Sequence, residues 1–269
     1  MMCRRGAAAV LALSAAVPAL AEQPLWELGL GATALSLPHY RGSDQSHHWL
    51  LPIPFGVYRG PIFRATRDGA RAVLLERDRF DFDISLAAGP PTRSSENDAR
   101  SGMPDLDATV EIGPNLNLTL GEGAGWKIQL QLPVRAVFAL GSDAGSIGWT
   151  ASPVLNLDLD VGGWDIGLQA GPLAANRAYH AYFYDVAAAY ATASRPAYSA
   201  PGGGAGWTFR TGASRRYGPL WVGAFVRADS LSGAAFDTSP LVRQRENVSF
   251  GLAMSWVFAA SATQVPDDR

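Results

Sequence analysis

Large apolar and small residues alternate without a break near the end of the chain. Phe250, Leu252, Met254, Trp256 and Phe258 fall on one side, and Ser249, Gly251, Ala253, Ser255 and Val257 on the other. Strand side chains change face at every residue, so this segment reads as a strand with one large apolar face. The pattern recurs with polar residues opposite. Trp126, Ile128, Leu130, Leu132 and Val134 oppose Lys127, Gln129, Gln131 and Arg135. Leu106, Ala108, Val110, Ile112, Leu116, Leu118 and Leu120 oppose Asp107, Thr109, Glu111, Asn115, Asn117 and Thr119. Such runs outlast the soluble strand of about 5–6 residues. They suit a tilted membrane strand, which takes about 9–11 residues plus its extensions into water. No later apolar run reaches the roughly 20 residues of a membrane helix. Apolar faces that meet lipid then require a closed ring of strands, because only closure satisfies every backbone group there. The expectation is an all-β fold: a transmembrane antiparallel up-and-down β-barrel with its apolar face toward lipid. A soluble all-β protein is the competing reading.

The start of the chain reads as a cleaved N-terminal signal peptide. Arg4 and Arg5 precede a short apolar stretch from Ala7 to Ala16, and Ala19-Leu20-Ala21 is a small-x-small cleavage site. The expected division is 1–21 signal peptide, 22–258 barrel and 259–269 periplasmic tail. Cys3, the one cysteine, falls inside the signal. The mature chain would carry no disulfide and no thiolate chemistry. Without Arg4 and Arg5, 20 basic residues face 24 acidic ones, and no basic run points to nucleic acid. The 29 glycines, 18 prolines and 8 tryptophans suit tight turns and interfacial aromatic girdles.

Strands are expected near 25–37, 48–59, 61–67, 70–77, 79–89, 105–120, 125–140, 147–161, 164–172, 203–216, 219–230 and 246–258. Short turns alternate with mostly longer connections, as in bacterial barrels with short periplasmic turns and an even strand count. The count is about twelve, with ten as the alternative. Residues 60–79 are the ambiguous stretch, where Asp68-Gly69 is a hairpin signal. Residues 173–202 hold Tyr179, Tyr182, Phe183 and Tyr184, then Val186 to Ala193 as a candidate short helix. They fit equally a segment folded into the barrel mouth and a plain exposed loop.

The parity places Glu27, Arg64, Asp81, Asp83, Asp107, Glu111, Lys127, Arg135, Asp158, Asp160, Asp165, Arg210, Arg227 and Asp229 toward the lumen. Either these charges pair across the lumen and fill it, or they line a water-filled channel. The presence of both signs favours filling. A pore, if open, would favour cations, because the faces of 105–120 and 147–161 are acid-rich.

No catalytic set stands out. His39, His47, His48 and His180 fall in or beside outer connections. Ser43, Asp44, Ser46 and His47 are triad residue types, but a triad is a matter of geometry. His47-His48 alone is a weak metal signal. Gly202 to Gly204 does not open a helix after a strand, as a phosphate loop would. No catalytic residue, metal or cofactor is expected.

Several stretches resemble the MipA/OmpV family of outer-membrane proteins, MipA meaning MltA-interacting protein. They are LSLPHYRGSDQSHHWLLPIPFGVYRG from Leu35, GMPDLDATVEIGPNL from Gly102, RPAYSAPGGG from Arg195, GAFVRADSLSGAAFDTSPLVR from Gly223 and VSFGLAMSWVF from Val248. The last is also similar to the C-terminal insertion signal read by the barrel assembly machinery, except that Ala259–Arg269 follow the final aromatic residue. The resemblance implies a Gram-negative outer-membrane location and a scaffolding role linked to peptidoglycan. The namesake brings a murein lytic transglycosylase together with a murein synthase; other members are linked to adhesion, osmotic or antibiotic response. It carries over no catalytic residue. The short turns, Glu22–Leu25 and the tail would make the periplasmic contacts. A small-solute channel and an outer-membrane hydrolase are the alternatives.

Overall fold

A computed structural model describes residues 22–66, 69–141 and 144–266. The expected signal 1–21, the last tail residues 267–269 and Asp68 of the hairpin signal lie outside the described residues.

Twelve antiparallel staves close into a barrel. They are β1 Trp26–Pro38, β2 Ser46–Arg59, β3 Phe63–Thr66, β4 Gly69–Arg77, β5 Phe80–Gly89 and β6 Thr109–Gly123. Then follow β7 Trp126–Ala139, β8 Gly145–Ala151 with Val154–Val161, β9 Trp164–Ala175, β10 Gly203–Tyr217, β11 Leu220–Ser230 and β12 Glu246–Ala260. β8 is interrupted at Ser152-Pro153 because proline has no N–H to give the ladder. Its register is unbroken: Ala151 opposes Val134 and Val154 opposes Gln131. β12 closes the ring on β1, from Phe250 opposite Ser36 to Ala260 opposite Glu27.

Two boundaries differ from expectation. β6 starts at Thr109, not near residue 105, because Leu106 is drawn into a core outside the wall, where it bridges Thr92. β12 runs past Phe258 to Ala260, over a register shift at Val257. The tail then folds back, and Gln264–Pro266 pairs with Glu22–Pro24. The first and last described segments therefore meet at the end of the short turns. Gly162 and Gly163, at φ 60° and 77°, form one of those turns. Two consecutive positive φ values are what a type I′ hairpin needs.

The outward residues of β12 stand free of the protein: Phe250 is 51%, Leu252 61%, Met254 55%, Trp256 57% and Phe258 66% exposed. Exposed outward aromatics ring both ends. Tyr58, Phe63, Trp126 and Tyr217 lie toward the short turns, and Phe138, Trp149 and Trp207 toward the long connections. Such belts mark the two interfaces of an outer-membrane barrel.

Residues 60–79 form two staves, and the wall is low there. β3 has 4 residues where β2 has 14. Only Tyr58 and Arg59 of β2 pair with β3, at Ala65 and Arg64. Among the described residues, 46–57 have a ladder partner on one side alone, in β1. β4 pairs with β5 only up to Leu86. Above the β3–β4 hairpin the wall is thus notched.

Candidate functional site: a capped lumen with two unlike walls

The long connections do not hang free. The connections 39–45, 90–108, 176–202 and 231–245 fold together over the mouth around Tyr40, Leu106, Tyr184, Val186, Leu231, Phe236 and Leu241. The helix of this cap is α1, Arg177–Tyr184. The expected helix from Val186 to Ala193 is absent; one short turn, Ala188–Tyr190, lies there. The aromatic face decides the location. Tyr184 stacks on Phe236 at 3.7 Å between centroids, and His180 meets Phe236 edge-on at 4.6 Å. The alanine run from 187 has no such face to bury.

α1 spans the opening. At its start, Asn176 Oδ1 accepts from the backbone N–H of both Trp149 and Tyr179, so one side chain caps the helix and clamps it to β8. Gly148 permits this approach. It lies at φ 132°, and a Cβ there would come within 2.6 Å of the Tyr179 nitrogen. At its end, the Tyr184 hydroxyl donates to the Arg41 carbonyl at 2.8 Å, and Ser239 Oγ donates to the Tyr184 carbonyl at 2.8 Å. The 39–45 turn is fixed in turn by Asn247 of β12, which accepts from Gly42 N and donates to Ser43 O.

Arg100 joins the third side. It is 3% exposed, and its guanidinium donates to Phe183 O at 3.1 Å, Pro104 O at 3.0 Å and Ser94 Oγ at 3.3 Å. Burial is the main cause holding its pKa below the ordinary arginine value. Burial shifts other titratable groups of the cap toward their neutral forms. His39 and His180 are lowered, Tyr40 and Tyr184 are raised, and Tyr179 is pushed to about 12. For these groups burial, which penalises the charged form, is the largest cause of the shift.

Of the charges expected in the lumen, all but Asp107 lie on the staves of the barrel. Asp107 stands in the connection before β6, where its backbone N–H donates to the Tyr182 hydroxyl at 2.8 Å. The ion pairs run along the wall between near neighbours more than across the lumen. Arg71 lies 3.8 Å from Asp83, Arg135 3.9 Å from Glu111, Arg64 2.9 Å from Glu76 and Arg227 2.8 Å from Asp229. Asp83 also accepts from Asn117 and Asn115. Asp158 accepts from Asn156 and faces Lys127, while Asp160 faces Asp165. Arg41, not expected from sequence, enters from the cap to reach Asp229 at 3.1 Å. Glu27 holds both Arg59 and Arg216, the longest reach over the interior. Arg210 points inward yet stays solvent-exposed, so the space beside it is not packed solid.

Most of the charges lie from β3 to β10. The middle of the opposite wall is apolar or small, with Glu27 and Arg59 toward the short turns and Arg227 and Asp229 toward the cap. β2 turns Trp49, Leu51, Ile53, Phe55 and Val57 inward, set by the pairing of Val57 with Glu27 and of Leu51 with Thr33. Phe55 meets Trp221 of β11 at 5.5 Å. Gly29, Gly31 and Ser255 on the staves between them leave room for these rings. β2 is the one stave apolar on both faces, and its inner face was not singled out by the sequence reading.

Ser43 is fully buried; its Oγ donates to Gln45 O and accepts from Asn97 Nδ2. Asp44 faces Arg243 at 3.8 Å. His47 stacks between His39 and Trp49 at 4.0 and 4.5 Å. These residues build the cap's edge and do not converge as a nucleophile with its base. Among the described residues no cluster of three or more His, Cys, Asp or Glu is placed to hold a metal.

A family model described as MltA-interacting protein MipA matches residues 30–258. Solved structures align with low identity. A bacterial polysaccharide outer membrane secretin is 10% identical over 88% of this chain and 99% of its own, at TM-score 0.44. An outer membrane channel from Pseudomonas putida is 12% identical over 93% of this chain and 100% of its own, at TM-score 0.40. Outer membrane phospholipase A from Escherichia coli is 10% identical over 91% and 94%, at TM-score 0.36. No curated protein matches the chain.

Proposed function

Because the chain belongs to the MltA-interacting protein MipA family and is an outer-membrane β-barrel, we propose that it is a non-enzymatic scaffold for peptidoglycan-turnover enzymes. The observation that carries this reading is the division of labour between the two ends. The outer mouth is covered by a packed cap, which suits a barrel that does not serve as an open pore. At the other end the first and last described segments come together as a β-ribbon, Glu22–Pro24 with Gln264–Pro266, beside the short turns. In a bacterial barrel that end faces the periplasm, where murein enzymes work. The ribbon and turns offer the docking surface, and the barrel supplies the anchor. The partners in this reading are a murein lytic transglycosylase and a murein synthase.

The test is co-purification. Tagged full-length protein, extracted from membranes in mild detergent, is expected to retain a lytic transglycosylase. Deleting residues 262–269 should reduce that recovery while the barrel still folds. Equal recovery from a tagged unrelated barrel would overturn the proposal.

A further inference from the structure

The notch and the apolar inner wall lie side by side. A membrane strand takes about 9–11 residues, and β3 supplies 4 before its hairpin turns back. The gap is bounded by β2 on one side and the end of β5 on the other. Segment 90–97 passes above it, where Thr92 Oγ1 donates to His39 O at 2.7 Å and lies 3.4 Å from His47 Nε2. The unpartnered stretch of β2 is about 40 Å long at roughly 3.3 Å per residue. Its lower end adjoins Tyr58 in the aromatic belt toward the short turns, so the gap runs from there up through the apolar band toward the cap.

The free edge of β2 is shaped against hydrogen bonding. Arg59 N donates to Leu25 O, toward the β1 side. By alternation, the even-numbered residues of β2 aim their N–H groups at the notch. Pro52 and Pro54 hold two of those positions and have no N–H to leave unpaired. Both faces beside the edge are apolar. Leu50, outward, is 77% exposed; Leu51, inward, is 42% exposed, so the inner side is open too.

We propose that the notch is a lateral portal through which the hydrocarbon chain of a membrane amphiphile enters the lumen and lies along the inner face of β2. Two observations select this occupant. A partner strand added to the β2 edge would need the donors that Pro52 and Pro54 lack. A water-soluble solute would meet Trp49, Leu51, Ile53 and Phe55 first, whereas an alkyl chain gains about 0.8 kcal/mol for each methylene it keeps from water. The cap closes the axial route, and the side route starts in the lipid where such chains are dissolved. This inference does not depend on the scaffold reading.

The experiment uses the chain's lack of cysteine beyond Cys3. Single cysteines are introduced by Ile53→Cys on the inner face at the portal, Leu50→Cys on the lipid face and Gln131→Cys on the far inner wall. Each protein is folded into lipid vesicles, with folding verified by heat-modifiable electrophoresis, and treated with a membrane-confined hexadecyl thiosulfonate. Ile53→Cys is expected to react nearly as fast as Leu50→Cys and at least about tenfold faster than Gln131→Cys, about 1.4 kcal/mol in access. Palmitate in the vesicles should protect Ile53→Cys from a small water-soluble maleimide. Adding Gly56→Trp at the edge should slow the lipid-borne reaction without unfolding the barrel. Equal rates at Ile53→Cys and Gln131→Cys, or no protection by palmitate, would overturn the portal. Both outcomes are independent of any murein enzyme.

Discussion

At the residue scale, the cap turns on buried groups that have one acceptable state. Arg100 sends its donors to two carbonyls and a hydroxyl, with no carboxylate among its hydrogen-bond partners. Arg100→Met fills similar space but takes the donor from the Phe183 carbonyl, worth about 1–3 kcal/mol when buried and unpaired, while Pro104 O keeps Ser94 Oγ. The expected outcome is a loosened cap on an intact barrel, seen as new tryptic cleavage in 90–108 and 176–202 with unchanged heat-modifiable mobility. His180 acts through its charge. Its ring is fully buried, Nδ1 donates to Pro201 O at 2.7 Å, and Nε2 has no partner among the described residues. Burial lowers its pKa first; the Pro201 carbonyl opposes this, and Arg41 lowers it further. A lowered pKa means that the undocked cap binds the proton more tightly than the docked one. Docking is then at full strength above the ordinary histidine pKa of about 6.5 and weakens as pH falls below it. Hydrogen exchange of the α1 amides, corrected for intrinsic rate, should accelerate on moving from about pH 7.5 to about pH 5.5. His180→Phe should flatten that dependence.

At the scale of elements, α1 depends on one contact with the wall. Gly148 lies at φ 132° with no room for a Cβ beside Asn176 and Tyr179. Gly148→Val is expected to unseat the helix at about 1–3 kcal/mol for the backbone alone, in addition to the clash. Asn176→Ala should cost about 1 kcal/mol through the lost cap. Tryptophan fluorescence near Trp149 and protease sensitivity of 176–202 would report both. If Gly148→Val leaves 176–202 as protected as in the parent chain, β8 is not where α1 is held. Of the elements themselves, the staves were legible in the residues because alternation is local and each spans many residues. α1 was not. Its position depends on Phe236 and Tyr40, which are remote in sequence, and helix propensity alone points to the alanines after it. Asp107 was misplaced for a related reason: alternation continues through Leu106, but Leu106 pays more by joining the cap than by facing lipid.

At the scale of the molecule, the cap and the notch together set what the barrel can pass. A mouth roofed by four connections should not conduct. Planar-bilayer recording of the purified chain is expected to show no discrete steps, and steady unit conductance would refute the roof as a closed one. The sequence by itself pointed to a closed barrel of about twelve staves, with ten as the alternative, and to the side of each stave that would meet lipid. Those follow from a period of two and from the backbone's need for partners in lipid, both readable a few residues at a time. The inward parity of Glu27, Asp83 or Arg227 comes from the same local rule. Only the tertiary structure decided which connections form the roof, and that most ion pairs join near neighbours along the wall. It also decided that the wall stops short above β3 and β4. Pro52 and Pro54 suit a strand edge, because neither has an N–H to pair. Whether a strand has a neighbour, however, is settled by the length of another segment, and loops pack by shape against residues far away in the chain.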